Sequence, residues 1–214
     1  MTPEIPLILR LKRISHKNIA EAQDLIIGEL YKVFDKAVLH GGTALWRCYG
    51  GNRFSEDIDV YIQRDLKKIN ILFDSFRKVG FVVEKEKVGE NSIYSSLNFN
   101  GTIVRFEALF KKVKGSLVEY TKSDGNLITI YTLTPEELII EKSITYQKRL
   151  KIRDLYDVFF LLRHIKMNDE IKKSLGSLVK NFKQPVDKED LKIIIIEGIV
   201  PGVEDMLNRI KREV

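Results

Sequence analysis

The chain contains very little cysteine and histidine, and this excludes several kinds of site. Its 214 residues include a single cysteine, Cys48, so no disulfide can form within the chain. A disulfide-stabilised scaffold is therefore excluded, and a reducing compartment is favoured. The three histidines, His16, His40 and His164, are scattered, and their spacing matches no histidine metal site.

Long apolar runs are also missing, which argues against a membrane protein. No stretch approaches the length of a transmembrane helix. The first residues, MTPEIPLILRLKR, place a brief apolar patch before the basic residues, whereas a secretory signal has the reverse order. We therefore expect a cytoplasmic protein without membrane contact.

The composition is that of a globular protein with a modestly basic surface. Hydrophobic residues make up 44% of the chain, enough for a full core. The length fits one domain, or a catalytic domain with a helical extension. A net charge of +6 permits phosphate-rich partners such as nucleotides or RNA, but a basic surface of this size is common.

Hydrophobic periodicity predicts an α+β (α/β) fold, with a mixed β-sheet flanked by helices and a helical C-terminal part. Apolar spacing predicts helices at 15–34, 43–49 and 65–80. Strands are expected at 37–39, 58–62, 81–88, 92–99, 103–110 and 127–133. Residues 111–125 are expected to form a flexible basic connection. The capping box Thr134-Pro135-Glu136-Glu137 begins the helical part, so the predicted domains are 1–133 and 134–214.

Two aspartates on one predicted strand indicate a metal site. Asp57 and Asp59 are two positions apart, so their side chains leave the same face of a strand. Neighbouring carboxylates repel each other unless a cation lies between them, and Mg²⁺ binds one or two carboxylates together with substrate phosphates. An ordinary exposed strand is the alternative, although aspartate is depleted in strands.

A glycine turn precedes the aspartates and is suited to holding phosphates. Gly41-Gly42-Thr43 opens the predicted helix, whose first N–H groups have no partner within the helix. Together with Asp57 and Asp59, this turn describes a site for a metal-bound nucleoside triphosphate. An ordinary strand-to-helix turn is the alternative. Arg53 is a candidate phosphate contact or a solvated loop arginine, and Ser55 is a candidate to contact phosphates or to hold Asp57.

These two blocks resemble a known family. His40-Gly41-Gly42-Thr43-Ala44-Leu45, followed by Arg53-Phe54-Ser55-Glu56-Asp57-Ile58-Asp59, is similar to the nucleotidyltransferase-like toxins of the AbiEii/MenT family, within the DNA polymerase β-type superfamily. The resemblance implies that the turn holds the nucleotide phosphates, with Thr43 standing in for the usual serine. It also implies that Asp57 and Asp59 bind the metals. His40 occupies a position at which many family members carry lysine.

Glu107 is the candidate third carboxylate. In the predicted strand 103–110, Val104, Phe106 and Ala108 face one way, whereas Arg105 and Glu107 face the other. Polymerase-like sites take a third acid from a strand beside the Asp-x-Asp pair, either as a metal ligand or as a base for the acceptor hydroxyl. A solvated polar face is the alternative.

The predicted helical part carries two further patterns of the family. Lys142 and Arg149 are seven positions apart, so both lie on one helix face and fit a Lys-x6-Arg pattern. Residues 153–157 fit an Arg-Asp-x-x-Asp pattern. The resemblance implies that Lys142 meets the triphosphate, that Arg149 assists it, and that Asp157 serves in or beside the active site. Asp154 is a candidate to brace the helix. The alternative is an exposed basic helix with ion pairs such as Arg153 with Asp157.

The resemblance implies nucleotidyl transfer from a nucleoside triphosphate to an acceptor such as tRNA, with Mg²⁺ as cofactor. It also implies a toxin that is paired with a separately encoded antitoxin. Two alternatives remain open, a small-molecule nucleotidyltransferase of the antibiotic-modifying kind and a non-catalytic nucleotide- or RNA-binding module. We expect the RNA surface to include four lysines of the basic connection, Lys111, Lys112, Lys114 and Lys122. The alternative is that this connection is a solvated loop.

Overall fold

A computed structural model describes residues 6–214 and divides the chain into two compact units. The first unit runs to Gly50, resumes at Phe54 and ends at Thr132. The second comprises Gly51–Arg53 and Leu133–Val214. Residues 1–5 lie outside the described residues. They belong to the segment that was compared with a secretory signal and to the domain predicted at 1–133.

The first unit is a mixed sheet with flanking helices, which confirms the predicted fold class. Its helices are α1 (Leu7–Arg10), α2 (Ile14–Val33), α3 (Gly41–Cys48) and α4 (Leu66–Lys78). Its strands are β1 (Val38–His40), β2 (Ile58–Ile62), β3 (Val82–Val88), β4 (Ser92–Phe99), β5 (Thr102–Phe110), β6 (Ser116–Thr121) and β7 (Leu127–Thr132).

One predicted loop was wrong, because residues 111–125 contain strand β6. This strand pairs antiparallel with β7, and Tyr120 is its fully buried side chain. Leu117 is largely exposed, so the apolar and polar residues of β6 do not alternate clearly. The basic residues on either side reinforced the appearance of a loop.

The sheet order places the motif-bearing strands at its centre. The seven strands follow the order β3-β4-β5-β2-β1-β7-β6. Strand β2 runs parallel to β5 and antiparallel to β1. The end of β1, where the glycine turn begins, therefore lies beside the start of β2, where Asp57 and Asp59 are found.

One face of the central strands is buried and the other is more open. Ile58, Val60 and Ile62 of β2 are fully buried, as their alternation predicted. The aromatic ring of Phe106 on β5 packs edge-on against Phe76 of α4, with 5.6 Å between ring centroids. Because side chains alternate along a strand, Asp59 and Glu107 emerge on the opposite face.

The second unit is helical. Its helices are α5 (Pro135–Arg149), α6 (Ile152–Leu161), α7 (Asp169–Lys180), α8 (Leu191–Ile194) and α9 (Val203–Lys211), with a 3₁₀ turn at Lys188–Asp190. The capping box predicted at the start of α5 is present, with reciprocal hydrogen bonds between Thr134 and Glu137. Within residues 6–214, no helix is both long and apolar enough to cross a membrane.

The segment Gly51–Arg53 joins the second unit through backbone contacts. The N–H of Ile196 donates to the carbonyl of Asn52 over 2.8 Å, and Arg53 forms an isolated antiparallel bridge with Ile195. These contacts attach the segment that leads to the aspartate pair to residues 195–196.

Candidate active site

The glycine turn lies directly against one of the two aspartates. Gly41 has a φ of +72°, a backbone conformation that favours glycine. A Cβ atom on Gly41 would lie only 2.5 Å from Oδ2 of Asp59, so any side chain here would force Asp59 or the turn to shift. Two elements that are separated along the sequence are therefore in contact, and glycine fits this contact without displacing either one.

Thr43 connects the same helix to the other aspartate. Its Oγ1 donates a hydrogen bond of 2.5 Å to the backbone carbonyl of Asp57, and Thr43 is fully buried. The Thr43 hydroxyl thus positions the main chain of Asp57. The N–H groups of Gly42 and Thr43 lie in the first turn of α3, where helix geometry provides no acceptor within the helix.

Ser55 belongs to the segment that leads into Asp57. Its backbone carbonyl accepts a 2.9 Å hydrogen bond from Nε2 of the buried Gln23. This contact fixes the chain two residues before Asp57. The Ser55 side chain is half-buried, and its predicted contact with phosphate stays a prediction.

Three residues on neighbouring strands form a row on one face of the sheet, where His40 is buried and the two carboxylates are half-buried. His40 of β1 is the register partner of Asp59 on β2, and Asp59 is the register partner of Glu107 on β5. Neighbouring strands lie about 4.8 Å apart, so the two carboxylates are adjacent on the sheet. The structure therefore places Glu107 where the third carboxylate was predicted. Its chemical role stays a prediction.

Arg105 is a residue of the site whose contact the sequence did not reveal. Its Nε and Nη2 donate hydrogen bonds of 2.7 and 2.5 Å to the two carboxylate oxygens of Asp57. The hydrogen bond to Asp57 raises the pKa of Arg105 and outweighs the partial burial that would lower it. The sequence offered one signal for this contact, because Arg105 is a cation two positions before Glu107 on the strand expected beside the aspartates.

The oxygen ligands of this face are chemically suited to Mg²⁺. Asp57, Asp59 and Glu107 all supply carboxylate oxygens, the donors that hard divalent cations prefer. In the part of the chain that the structure describes, no three His, Cys, Asp or Glu side chains converge as a metal cluster. Arg105 contacts both oxygens of Asp57, so metal binding by Asp57 competes with this ion pair.

The second unit contains a network of alternating charges around two buried aspartates, with only Arg149 substantially exposed among the described members. Arg53 donates two hydrogen bonds to Asp157, of 2.5 and 2.6 Å. Nζ of Lys142 lies 3.0 Å from Asp157 and 3.5 Å from Asp154. Arg149 donates two hydrogen bonds to Asp154, of 2.6 and 2.8 Å. Three cations thus share two buried aspartates.

The network keeps Asp157 ionised. Burial alone would raise the pKa of Asp157, but the charges of Arg53 and Lys142 outweigh burial and lower it. Burial likewise disfavours the charged form of Arg53, yet the charge of Asp157 and its hydrogen bond raise the Arg53 pKa. The ion pairs therefore compensate the cost of removing these charges from water.

These contacts decide between several interpretations of the sequence. Arg53 is 3% exposed, so the interpretation of this residue as a solvated loop arginine was wrong. Lys142 is 5% exposed, so the interpretation that it belongs to an exposed basic helix face was wrong. The pair proposed between Arg153 and Asp157 is replaced by pairs of Asp157 with Arg53 and Lys142. The predicted contacts of Arg53, Lys142 and Arg149 with phosphate stay predictions.

The fold is shared with solved bacterial proteins. JHP933 from Helicobacter pylori superposes with a TM-score of 0.67 and 18% sequence identity, covering 94% of this chain and 90% of that chain. The nucleotidyltransferase toxin MenT4 from Mycobacterium tuberculosis H37Rv gives a TM-score of 0.65 and 17% identity, covering 97% of this chain and 85% of that chain. At this identity the similarity shows a common fold.

The sequence also matches the profile of one protein family. No match is found among curated proteins. The family described as nucleotidyl transferase AbiEii toxin, of type IV toxin–antitoxin systems, matches residues 29–208. This range includes the glycine turn, the aspartate pair, Glu107 and the charge network. The chain therefore belongs to the AbiEii nucleotidyltransferase toxin family and is a nucleotidyltransferase.

Proposed function

We propose that this nucleotidyltransferase moves a nucleotide from a nucleoside triphosphate to RNA, with tRNA as the expected acceptor and Mg²⁺ as the cofactor. The observation that most supports the proposal is the contact of Gly41 with Asp59. This contact brings the first turn of α3, which can bind an anion, next to a carboxylate that can bind a metal.

The triphosphate is assigned to groups that offer positive charge or free N–H donors. The N–H groups of Gly42 and Thr43 are assigned to its phosphates, because helix N-termini bind anions. Lys142 and Arg149 are assigned to the triphosphate because they match the family's pattern. In this assignment, Asp154 and Asp157 hold these two cations in fixed positions through the ion pairs.

The proposed reaction is an in-line displacement at the α-phosphorus. The acceptor hydroxyl oxygen forms a bond to the α-phosphorus, the bond to the bridging oxygen breaks, and pyrophosphate leaves. Asp57, Asp59 and Glu107 would hold Mg²⁺, which supplies charge neutralisation at the entering and leaving oxygens when bound. Glu107 is also a candidate to accept the proton of the hydroxyl.

The structure modifies the four-lysine RNA surface predicted from sequence. Lys111 and Lys112 line a cavity of about 490 Å³ together with Tyr61. Lys122 lies beyond the other end of β6 and pairs with Asp124 over 3.3 Å. The four lysines therefore do not belong to a single loop. We retain Lys111 and Lys112 as proposed phosphate contacts.

The family description supports a proposal for the cellular role. The family is one of type IV toxin–antitoxin systems, and we propose that this chain is the toxin of such a pair, with growth arrest as its effect. Its partner would be a separately encoded antitoxin. Expression of the chain alone should slow growth, and expression of a variant without transferase activity should not.

Transfer is tested directly with each of the four α-labelled nucleoside triphosphates, Mg²⁺ and total tRNA. The proposal expects label in tRNA, and it expects Asp57→Asn and Asp59→Asn to abolish transfer while the protein remains folded. Label in a small molecule, or nucleotide binding without transfer, would instead support the alternative functions. Undiminished transfer by either variant would contradict the assigned role of the aspartates.

A further inference from the structure

Two lysines and a tyrosine lie on the same sheet face as the proposed catalytic carboxylates. Lys87 of β3 is the register partner of Tyr94 on β4, and Tyr94 is the register partner of Glu107 on β5. Glu107 in turn pairs with Asp59 on β2. Because register partners share a face, one row of side chains crosses from the outer strand to the proposed metal ligands.

This part of the face is open. Along β4, Ile93 and Leu97 are buried, whereas Tyr94 is half-buried on the opposite side. Nζ of Lys85 lies 4.8 Å from the centroid of the Tyr94 ring, a cation–π distance. A cavity of about 300 Å³ occurs here, and we call its lining the Tyr94 platform, formed by Lys85, Lys87, Gly89, Ser92 and Tyr94.

The acidic side chains of the same outer strand are engaged in other contacts. Glu86 accepts a 2.8 Å hydrogen bond from Arg77 of α4. Glu84 accepts a 2.6 Å hydrogen bond from Asn98 of β4. The residues that line the platform therefore contribute two positive charges beside an aromatic ring. This combination suits a ligand with both phosphates and a stacking base.

The position of the platform assigns it to the acceptor. In an in-line displacement, the attacking hydroxyl approaches from the side opposite the leaving group. The glycine turn, to which the triphosphate is assigned, lies beside Asp59 on the β1 side of the carboxylates. Strands β4 and β3 continue the sheet on the other side, beyond Glu107. The acceptor is therefore expected over β4 and β3.

We propose that the Tyr94 platform binds the single-stranded end of a polynucleotide acceptor. One base stacks on Tyr94, and phosphates of the strand contact Lys85 and Lys87. This inference rests on the proposed function, and it names the part of the molecule that receives the acceptor. Stacking with backbone contacts tolerates many sequences, so the platform recognises a single strand rather than one sequence.

The test uses fluorescence anisotropy of labelled single-stranded oligonucleotides with a free 3′ end, as RNA and as DNA of the same sequence, over a range of salt concentrations. The platform variants are Tyr94→Leu, Tyr94→Phe and the double variant Lys85→Gln/Lys87→Gln. The charge-matched control is Lys67→Gln/Lys78→Gln, which removes two exposed lysines from α4. Thermal unfolding and nucleotide binding are measured on every variant.

We expect a distinct result for each variant. The Lys85/Lys87 variant should flatten the slope of log affinity against log salt by about 1.4, because each phosphate contact to a single strand contributes about 0.7. Tyr94→Leu should weaken binding about tenfold, and Tyr94→Phe should retain it. The control variant should keep the wild-type slope. RNA should bind at least as tightly as DNA of the same sequence, because the proposed acceptor is RNA, and binding of DNA alone would contradict the inference.

Two further results would overturn the inference. One is a salt dependence that is lost in Lys111→Gln/Lys112→Gln but kept in the Lys85/Lys87 variant. The acceptor would then bind at the cavity lined by Lys111 and Lys112. The other is wild-type protein that transfers nucleotides without binding either strand. Failure of the proposed function differs from both, because it appears as absent transfer to every acceptor, whatever the oligonucleotide binding.

Discussion

Gly41 and Asp59 are in direct contact, although 17 residues separate them along the chain. A Cβ on Gly41 would approach Oδ2 of Asp59 to 2.5 Å, so the backbone of the turn packs against the carboxylate. The contact links an anion-binding helix start to a metal-binding side chain. It also means that a single methyl group at position 41 would displace Asp59 or the turn.

We therefore predict that Gly41→Ala abolishes nucleotidyl transfer. The added Cβ both collides with Asp59 and occupies a backbone conformation at φ +72° that disfavours alanine. The matched control is Gly50→Ala, since Gly50 has a φ of +67° but no atom within 4 Å of an added Cβ. Both variants should lose about 1–2 kcal/mol of stability from the backbone conformation alone, as measured by denaturant unfolding.

Activity separates the two glycine variants. Gly50→Ala should retain transfer once its lower stability is allowed for, whereas Gly41→Ala should lose it at temperatures where the protein is folded. Equal activity in the two variants would show that the contact with Asp59 is unimportant for the reaction.

Arg105 is predicted to compete with the metal for Asp57. Its guanidinium contacts both carboxylate oxygens, but the Arg105 side chain is 44% exposed, so the ion pair is partly screened. Arg105→Gln should therefore tighten Mg²⁺ binding by a few-fold, because an exposed pair is worth about 0–1 kcal/mol. Isothermal titration with Mg²⁺ measures this without requiring activity.

Arg77→Gln provides the control for Arg105, since it also removes one partly exposed arginine that bonds to carboxylates. Its Mg²⁺ affinity should match the wild type. An Arg105→Gln variant with weaker Mg²⁺ binding would instead show that the arginine organises Asp57 for the metal.

Much of the first unit was predictable because its signals are local. The alternation of Ile58, Val60 and Ile62 predicts both the strand and its buried face within five residues. It also predicts that the aspartates lie on the opposite face. Strand β6 was missed because its pairing with β7 and the burial of Tyr120 depend on distant parts of the chain. Tertiary contacts decide such short strands more than their own composition does.

The same distinction applies to the site. The glycine turn and the aspartate pair lie near each other in the sequence, and the alternation of β5 predicted the face on which Glu107 lies. The partner of Arg53 could not be inferred, because Asp157 lies 104 residues further along the chain. The bond from Arg105 to Asp57 spans 48 residues and depends on the register of β2 with β5. Sequence periodicity does not specify such a register between distant strands.

Lys142 is predicted to bind the triphosphate. A charge-assisted contact contributes about 1.5–3 kcal/mol, so Lys142→Ala should weaken nucleotide binding by about tenfold or more. The control is Lys148→Ala, which removes an exposed lysine from the same helix. Nucleotide titration at a temperature where both variants are folded measures the effect. Unchanged affinity in Lys142→Ala would restrict this lysine to its ion pairs with Asp154 and Asp157.

Asp157 should contribute stability that depends on pH. Although burial opposes ionisation, Arg53 and Lys142 lower the pKa of Asp157 below its ordinary value of 3.8. Because the pKa of Asp157 is lower in the folded state, its contribution to stability is complete above the unfolded-state pKa. The contribution is lost as the pH falls through the folded-state pKa. Asp157→Asn, which leaves two buried cations without this partner, should cost about 3–5 kcal/mol at pH 7. The difference from wild type in denaturant unfolding should shrink below about pH 4. The control is Asp74→Asn, which removes the carboxylate of an exposed ion pair with Arg77 and should change stability by less than about 1 kcal/mol throughout. A pH-independent difference for Asp157→Asn would show that lost packing, not charge, causes the destabilisation.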